Sequence, residues 1–381
     1  MNASSPTSPP SDYFIGLMSG TSLDGVDGVL CALSAEGSWQ GLLAHAHRPF
    51  PPTLYRELQA LQSPGPNELH RGALAGNALA RIYAETCAAL LEQTGLGPQD
   101  IRAIGAHGQT VRHQPGMHDG TGYTIQLLQA ALLAELSGIE VVADLRSRDV
   151  AAGGQGAPLV PLFHQALFGH AKRLRAVVNI GGISNITLLH PHQALLGFDC
   201  GPGNTLLDHW CQTHHQQPFD RDGAWAAEGQ INAALLKHLS DEPFFTGPAP
   251  KSTGRDLFNA AWLARKLGTL NESVSATDVQ STLTELTAQS IAHELQRYAP
   301  TVQDVLICGG GAFNAHLMLR LCAALPHARV LSTAEEGLAP DHVEAAAFAW
   351  LAWAHTQHQP GNHPSVTGAK GLRVLGALHP A

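Results

Sequence analysis

Gly16-Leu-Met-Ser-Gly-Thr-Ser-Leu-Asp-Gly-Val-Asp-Gly-Val-Leu30 decides how this chain is read. Apolar Tyr13–Leu17 predicts one strand and Val26–Leu33 a second. Between them, Gly20, Thr21, Ser22, Leu23, Asp24 and Gly25 supply the residues of a tight turn, so the stretch reads as a β-hairpin. Its tip carries two hydroxyls, a carboxylate and free backbone N–H groups. Such a tip can hold phosphate oxygens through its donors while the Asp24 carboxylate holds a divalent cation. No Gly-Lys-Ser/Thr follows and no helix begins there, so it is not a Walker loop. An ordinary polar hairpin would use the same residue types, and the rest of the chain has to decide between the two.

On the N-terminal side, Met1–Pro10 is rich in Ser and Pro, with no basic start and no apolar run. Residues 1–12 therefore read as a disordered tail, not a signal peptide. On the C-terminal side, Trp39–Phe50 can supply a third strand, Leu54–Leu61 a short helix and Glu68–Gln93 a long one ended by Gly95 and Gly97. Ile101–Thr110 reads as a short strand that delivers Gly105, His107, Gln109 and Thr110 to its C-terminal end, where open α/β sheets bind ligands. A Gly-rich turn with a solvated histidine would look the same. Tyr123–Leu127 and Ile139–Ala143 read as strands, with a helix at Gln129–Ser137. After them, Asp144-Leu-Arg-Ser-Arg-Asp149 alternates charge. The fork of Arg146 can grip a carboxylate there, or it can close a surface pair with its Asp neighbours. The glycines of Gly153–Gly156 read as the crossing between two lobes.

The second half repeats the plan. Arg175–Ile180, the turn Gly181-Gly-Ile-Ser-Asn185 and Ile186–Leu189 match the strand–turn–strand order of the opening hairpin. Leu195–Phe198 leads into Asp199-Cys-Gly-Pro-Gly-Asn204 and a helix from Thr205 to about His214. Helices at Asp256–Leu267 and Asp278–Tyr298 precede Asp304-Val-Leu-Ile-Cys-Gly-Gly-Gly-Ala-Phe-Asn314, which reads strand, triple glycine, helix. Three glycines at a strand end let a phosphate or planar ligand lie on the backbone at a helix N-terminus. Asp199 is the best-placed carboxylate for a base, since it follows an apolar strand and is confined by Gly201, Pro202 and Gly203. Its competing role is to cap the Thr205 helix. Asp208 lies on that helix and is a weaker candidate.

Composition bounds the answer. The chain has 381 residues, enough for two domains, with 44% hydrophobic residues and a formal net charge of −9. No long basic run suggests a nucleic-acid partner, and the apolar run Ala345–Ala354 is too short to span a bilayer. The six cysteines lack any Cys-x-x-Cys and suit a reducing cytoplasm. His190/His192 and His214/His215 lack a third ligand at metal spacing.

The wording Ser19-Gly-Thr-Ser-Leu-Asp-Gly-Val-Asp27 resembles the anhydro-N-acetylmuramic acid kinase family, within the sugar kinase/Hsp70/actin superfamily. Ala106-His-Gly-Gln-Thr110, Asp144–Asp149, Gly153–Pro158, Asn179–Asn185, Phe198–Asn204 and Cys308–Asn314 extend the resemblance over about residues 13–355. It implies an α/β fold of two ribonuclease-H-like, actin-like ATPase lobes with a nucleotide and substrate cleft between them. The lobes would be residues 13–145 and 146–340, with a helix over 341–358 returning to the first. The cofactors implied are ATP and Mg²⁺. Contacts would come from Gly20, Thr21, Ser22, Leu23, Asp24, Gly25, Val26 and Asp27, from Asn179, Gly181 and Gly182, from Gly201, Gly203 and Asn204, and from Gly309, Gly310, Gly311 and Asn314, with Asp24 on the metal. The sugar would meet His107, Gln109, Thr110 and, through its lactyl carboxylate, Arg146. Asp199 would act as base and Glu344 would hold the water or sugar. The reaction implied joins hydrolysis of the 1,6-anhydro ring to phosphorylation of O6, in cell-wall recycling. The partners expected are the sugar and ATP, with a homodimer left open. The readings that compete are another sugar or acyl kinase of the superfamily, and a nucleotide-switched binding protein.

Overall fold

The computed structural model describes residues 12–20, 23–254 and 256–381. Thr21 and Ser22 lie outside the described residues. The strands are β1 (Asp12–Met18), β2 (Gly25–Leu33), β3 (Trp39–Pro49), β4 (Ile101–Ala106), β5 (Gln109–Pro115), β6 (Gly122–Leu127), β7 (Val141–Ala143), β8 (Arg175–Ile180), β9 (Ile183–Leu189), β10 (Leu196–Pro202), β11 (Asp304–Cys308), β12 (Arg329–Ser332) and β13 (Ala377–His379).

The chain divides into two compact units. One holds the described residues up to Leu167 together with His342–Ala381; the other is Phe168–Asp341. The first is built on a sheet of order β13-β7-β4-β1-β2-β3, the second on a sheet of order β10-β9-β8-β11-β12. In the first sheet β1, β2 and β3 pair antiparallel, and β4 and β7 follow parallel to β1. In the second, β8, β9 and β10 pair antiparallel, and β11 and β12 follow parallel to β8. The same five-strand core therefore occurs twice, as the Gly-rich turns at matching places predict. Parallel strands need covering helices and read as continuous apolar runs, which is the pattern of Val177-Val178 and of Val305–Ile307.

Helix Glu68–Thr94 covers one face of the first sheet, placing Leu79, Tyr83 and Leu90 against Ile15, Leu17, Val26 and Leu30. It ends where Gly95 turns left-handed at φ 71°. Helix Val343–Thr356, buried from Ala345 to Ala354, packs against β1 and β4. Its seat is made by Gly16 and Gly105, which sit directly opposite each other across the β1/β4 pairing. A Cβ on Gly16 would collide with the Ala345 carbonyl, and one on Gly105 with the Phe348 carbonyl. Two strand glycines thus let helix backbone lie on strand backbone. In the second unit, Ile291 and Leu295 of helix Ala276–Tyr298 join Ile180, Ile186, Phe198 and Ile307 in one core.

Several boundaries differ from the sequence reading. Residues 146–167 belong with the first unit, so the crossing falls at 167/168 and not at 145/146 or in Gly153–Gly156. Buried Asp149 fixes them there. It accepts from Gly156 N (2.7 Å), Asn362 Nδ2 (2.6 Å) and Thr367 Oγ1 (2.7 Å), tying the glycine loop to the C-terminal segment. Gly154 is small for that carboxylate, not for a hinge, since a Cβ would strike Asp149 Oδ2. The hairpin β5–β6 uses a strand that the alternation of Thr110–Gln114 hides behind polar residues. The turn read over Gly181–Asn185 shortens to Gly181-Gly182, because Ile183 and Ser184 already pair with Pro202 and Gly201.

Candidate active site

In the first unit, Ser19 and Gly20 leave β1 and enter the hairpin tip. They rest on the β4–β5 turn. His107 Nδ1 donates to the Ser19 carbonyl (3.1 Å), Gln109 Nε2 to the Gly20 carbonyl (3.0 Å) and Ser19 Oγ to the Gly108 carbonyl (3.0 Å). Ser19 Oγ also shares a 2.8 Å hydrogen bond with the buried Tyr83 hydroxyl. Gly108 is left-handed at φ 73°, a conformation glycine adopts without strain. Residues expected beside the sugar are therefore also the cradle of the hairpin.

Because His107 Nδ1 faces a carbonyl, it carries the proton, and Nε2 accepts. The donors on Nε2 are Arg146 Nε (3.2 Å) and Nη2 (3.0 Å). Burial, helped by the Arg146 charge, pushes the His107 pKa down to about 3, so the ring stays neutral. Arg146 Nη1 donates to the Gly156 carbonyl (2.7 Å). Those three bonds use three of five guanidinium donors and leave two. Burial lowers the Arg146 pKa to about 10 against the opposing charges of Glu344 and Asp149, so the group remains cationic at neutral pH. Glu344 is half-buried in the first turn of helix Val343–Thr356, where a carboxylate favours the helix dipole.

The remaining first-unit candidates sort by what they present. Asp24 is exposed at the tip. Leu23 and Val26 enter the core, so they offer only backbone. Asp27, expected at the cofactor, is faced by His47 Nδ1 (3.0 Å) and His45 Nε2 (3.4 Å), and His45 stacks on His342 with ring centroids 4.0 Å apart. Burial opposes the Asp27 charge, but the two histidines outweigh it and hold its carboxyl below the usual range. Thr110 Oγ1 accepts from Gln126 Nε2 (3.2 Å). Gln109 Oε1 is buried without a hydrogen-bond partner among the described residues. Such an orphaned acceptor marks a place for a ligand or water donor.

In the second unit, three turns meet at the C-terminal ends of parallel-running β8, β10 and β11. Gly203 N donates to the Gly182 carbonyl (2.9 Å), Asn204 N to the Gly181 carbonyl (2.8 Å) and Asn204 Nδ2 to the Ile180 carbonyl (3.1 Å). Gly309 is left-handed at φ 75°, and a Cβ there would strike Asn179 Oδ1, while one on Gly311 would strike the Ile180 side chain. Gly310 faces Asn204 Nδ2, which would lie 3.4 Å from a Cβ. The sequence stretches around Asn179, Asn204 and Gly309 thus form one backbone-lined surface. Ser184 Oγ and Thr205 Oγ1, next to it in sequence, are buried without hydrogen-bond partners among the described residues. Asn314 has a structural role in the fold. Its Oδ1 accepts from Leu317 N (2.9 Å) and caps helix Ala315–Ala324.

Asp199 lies on β10 at the bulge beside Gly201, which is left-handed at φ 153°. It is not the cap of helix Thr205–His215, whose N-cap position is Asn204. Its Oδ2 accepts from Ser252 Oγ (3.0 Å) and Thr253 N (2.9 Å). Burial raises its pKa above the ordinary carboxylate value, against the lowering effect of those two donors. Among the described residues no group of His, Cys, Asp and Glu forms a metal cage, and no helix is long and apolar enough to cross a membrane.

The family profile described as anhydro-N-acetylmuramic acid kinase matches residues 12–381, which takes in both units. The chain belongs to the anhydro-N-acetylmuramic acid kinase family. A relative of that name from Albidiferax ferrireducens is 55% identical over 97% of this chain and 100% of its own length. One from Variovorax paradoxus is 56% identical over 97% of this chain and 99% of its own length. An activator of 2-hydroxyisocaproyl-CoA dehydratase from Clostridium difficile, solved with bound ADPNP, is similar at 13% identity and a TM-score of 0.48, covering 91% of this chain and 96% of that one. As a member of this family the chain is a kinase, with the two-sheet α/β architecture described above.

Sequence reasoning missed Tyr83, Ser252, Thr253, Asn362 and Thr367. Tyr83 sits at a core position of an amphipathic helix, where an aromatic residue signals only packing. The others act across 53 to 218 residues of chain, and no local pattern reports such pairings. A signal did exist for Lys251-Ser-Thr-Gly254, a polar run closing the Pro248-Ala-Pro250 loop.

Proposed function

We propose that this kinase converts 1,6-anhydro-N-acetylmuramic acid, water and ATP into N-acetylmuramic acid 6-phosphate and ADP, as a step in the recycling of cell-wall amino sugars. The observation that carries the reading is membership of the anhydro-N-acetylmuramic acid kinase family along the whole described chain.

Asp199 is assigned as the base. It takes a proton from the water whose oxygen bonds to the anomeric carbon. The C1–O6 bond breaks with inversion, and O6 takes the γ-phosphoryl group. A glycosidic displacement ordinarily needs an acid for the leaving oxygen. Here the phosphoryl acceptor and the leaving oxygen are the same atom, so one carboxylate base is sufficient. Its raised pKa brings that base toward neutrality, which favours proton acceptance. Arg146 offers its two uncommitted donors to the lactyl carboxylate, and Glu344 holds the water or the sugar. Gln109 Oε1, orphaned in the fold, accepts from a sugar hydroxyl.

The residues present fit ATP. Close packing at Gly203, Gly309 and Gly311 draws the three turns together, a Cβ on Gly181 or Gly310 would meet nothing closer than 3.4 Å, and the Ser184 and Thr205 hydroxyls have no hydrogen-bond partner among the described residues. Asp24, exposed on the hairpin, would hold Mg²⁺ together with phosphate oxygens and waters, the usual arrangement for that ion. When bound, Mg²⁺ neutralises charge developing on the phosphate oxygens. The reaction belongs to the cytoplasm, where ATP is supplied and the free cysteines stay reduced.

Incubation with ATP, Mg²⁺ and a panel of amino sugars, followed by phosphorus NMR, tests the reading. ADP and a sugar phosphomonoester should appear in equal amounts with the anhydro-muramyl sugar. Equal turnover of ordinary hexosamines would favour a general sugar kinase. ATP consumption independent of any sugar would favour a nucleotide switch.

A further inference from the structure

Lys251, Ser252 and Thr253 run alongside β10 where its register shifts at Asp199. The contacts are reciprocal. Asp199 N donates to the Lys251 carbonyl (2.9 Å), and the Asp199 Oδ2 atom accepts from Ser252 Oγ and Thr253 N at 3.0 and 2.9 Å. The segment is itself anchored. Lys251 Nζ reaches Glu294 Oε1 (2.7 Å), the Phe244 carbonyl (2.9 Å) and the face of the Phe244 ring (4.6 Å to its centroid). Glu294 is only 1% exposed, so this is a buried, hydrogen-bonded pair and not a surface contact.

A carboxylate at a strand bulge can rotate about χ1 and χ2. Two donors on one oxygen, supplied by a fixed segment, remove that freedom. Among the described residues both bonds fall on Oδ2, which leaves Oδ1 to receive a proton. We infer that Ser252 and Thr253 are positioning residues that lock the Asp199 carboxylate with Oδ1 directed to the reacting water. The inference rests on Asp199 being the base. Hydrogen bonds to the ionised form also favour that form, so the same two donors partly offset the effect of burial on Asp199. Lys251, whose carbonyl accepts from Asp199 N, is itself paired with Glu294. The Cys200 thiol is bonded to the Ser184 carbonyl (3.2 Å) and is held protonated by burial.

The test is the pH profile of kcat/KM for Ser252→Ala, with Ser252→Thr as the conservative control and Asp199→Asn as the reference. Ser252→Ala should lower kcat by roughly 10-fold to 100-fold, the effect of one hydrogen bond to a charged group. It should also move the acid limb of the profile up by about one pH unit, because the ionised base has lost a donor. The KM for ATP should stay in place, and Ser252→Thr should restore both rate and limb. An unchanged rate with an unchanged acid limb overturns the inference, as does a loss of rate with the limb unmoved, which packing alone would produce. Asp199→Asn separates the two levels. If it retains most of the rate, the assignment of Asp199 as base fails. If it is inactive while Ser252→Ala is normal, Asp199 stands and the clamp falls.

Discussion

Arg146 donates to His107 Nε2 from two of its nitrogens, and His107 passes that hold through its other ring nitrogen to the Ser19 carbonyl. One buried, neutral imidazole therefore connects the arginine assigned to the sugar with the hairpin assigned to phosphate. Phe348, on the helix that begins with Val343 and Glu344, lies against the same ring with centroids 4.8 Å apart.

Arg146→Ala should weaken the anhydro-muramyl sugar far more than an analogue without the lactyl group. A charge-assisted hydrogen bond is worth roughly 1.5–3 kcal/mol, or about 10-fold to 150-fold in Kd. Isothermal titration with both sugars measures the difference. Equal losses would confine Arg146 to supporting His107.

Folding stability should fall on mild acidification. His107 and the equally buried His164 are each held near a pKa of about 3, against 6.5 for the free side chain. Between those values the unfolded chain binds more protons, so stability rises with pH across the window and falls as pH drops from about 6.5 toward 3. The loss is on the order of 2 kcal/mol per ring by pH 5. Urea midpoints at pH 7, 6 and 5 measure it. A flat series would mean that the folded protein tolerates charged rings at these sites.

Asp24→Ala should leave folding within about 0.5 kcal/mol of the parent, because the side chain is exposed. Turnover should drop by roughly 10²–10⁴, the effect of losing a contact that stabilises transition-state charge. Steady-state rates across a magnesium titration check this. Near-normal kcat at saturating Mg²⁺ would take Asp24 out of the site.

Gly105→Ala should destabilise the first unit by about 3 kcal/mol or more, since the new methyl would strike the Phe348 carbonyl in a packed helix–strand contact. Chemical denaturation gives the value. A change below about 0.5 kcal/mol would mean that helix Val343–Thr356 shifts freely on its seat.

The doubled sheet was legible because both halves repeat apolar strands separated by Gly-rich turns. The site was legible as a set of turns but not as a network. Gly105 reads in sequence as part of a ligand-binding strand end, yet with Gly16 it seats a helix that begins 238 residues after it. Asp27 reads like Asp24 in the motif, and only strand pairing brings His45 and His47 to it. Asn314 ends a glycine motif, but the next residue begins a helix, and capping claims its side chain. Asp199 was singled out from the apolar strand before it and the Gly201-Pro202-Gly203 run after it, whereas Ser252 and Thr253 depended on a contact spanning more than 50 residues.

The coupled reaction itself is tested most directly with oxygen-18 water. If Asp199 activates water toward the anomeric carbon, the product should carry one label at that carbon and none in the transferred phosphoryl group. It should also appear first as the inverted anomer, since a single displacement inverts the centre. Label in the phosphate, or an unlabelled anomeric oxygen in the first-formed product, would contradict the account.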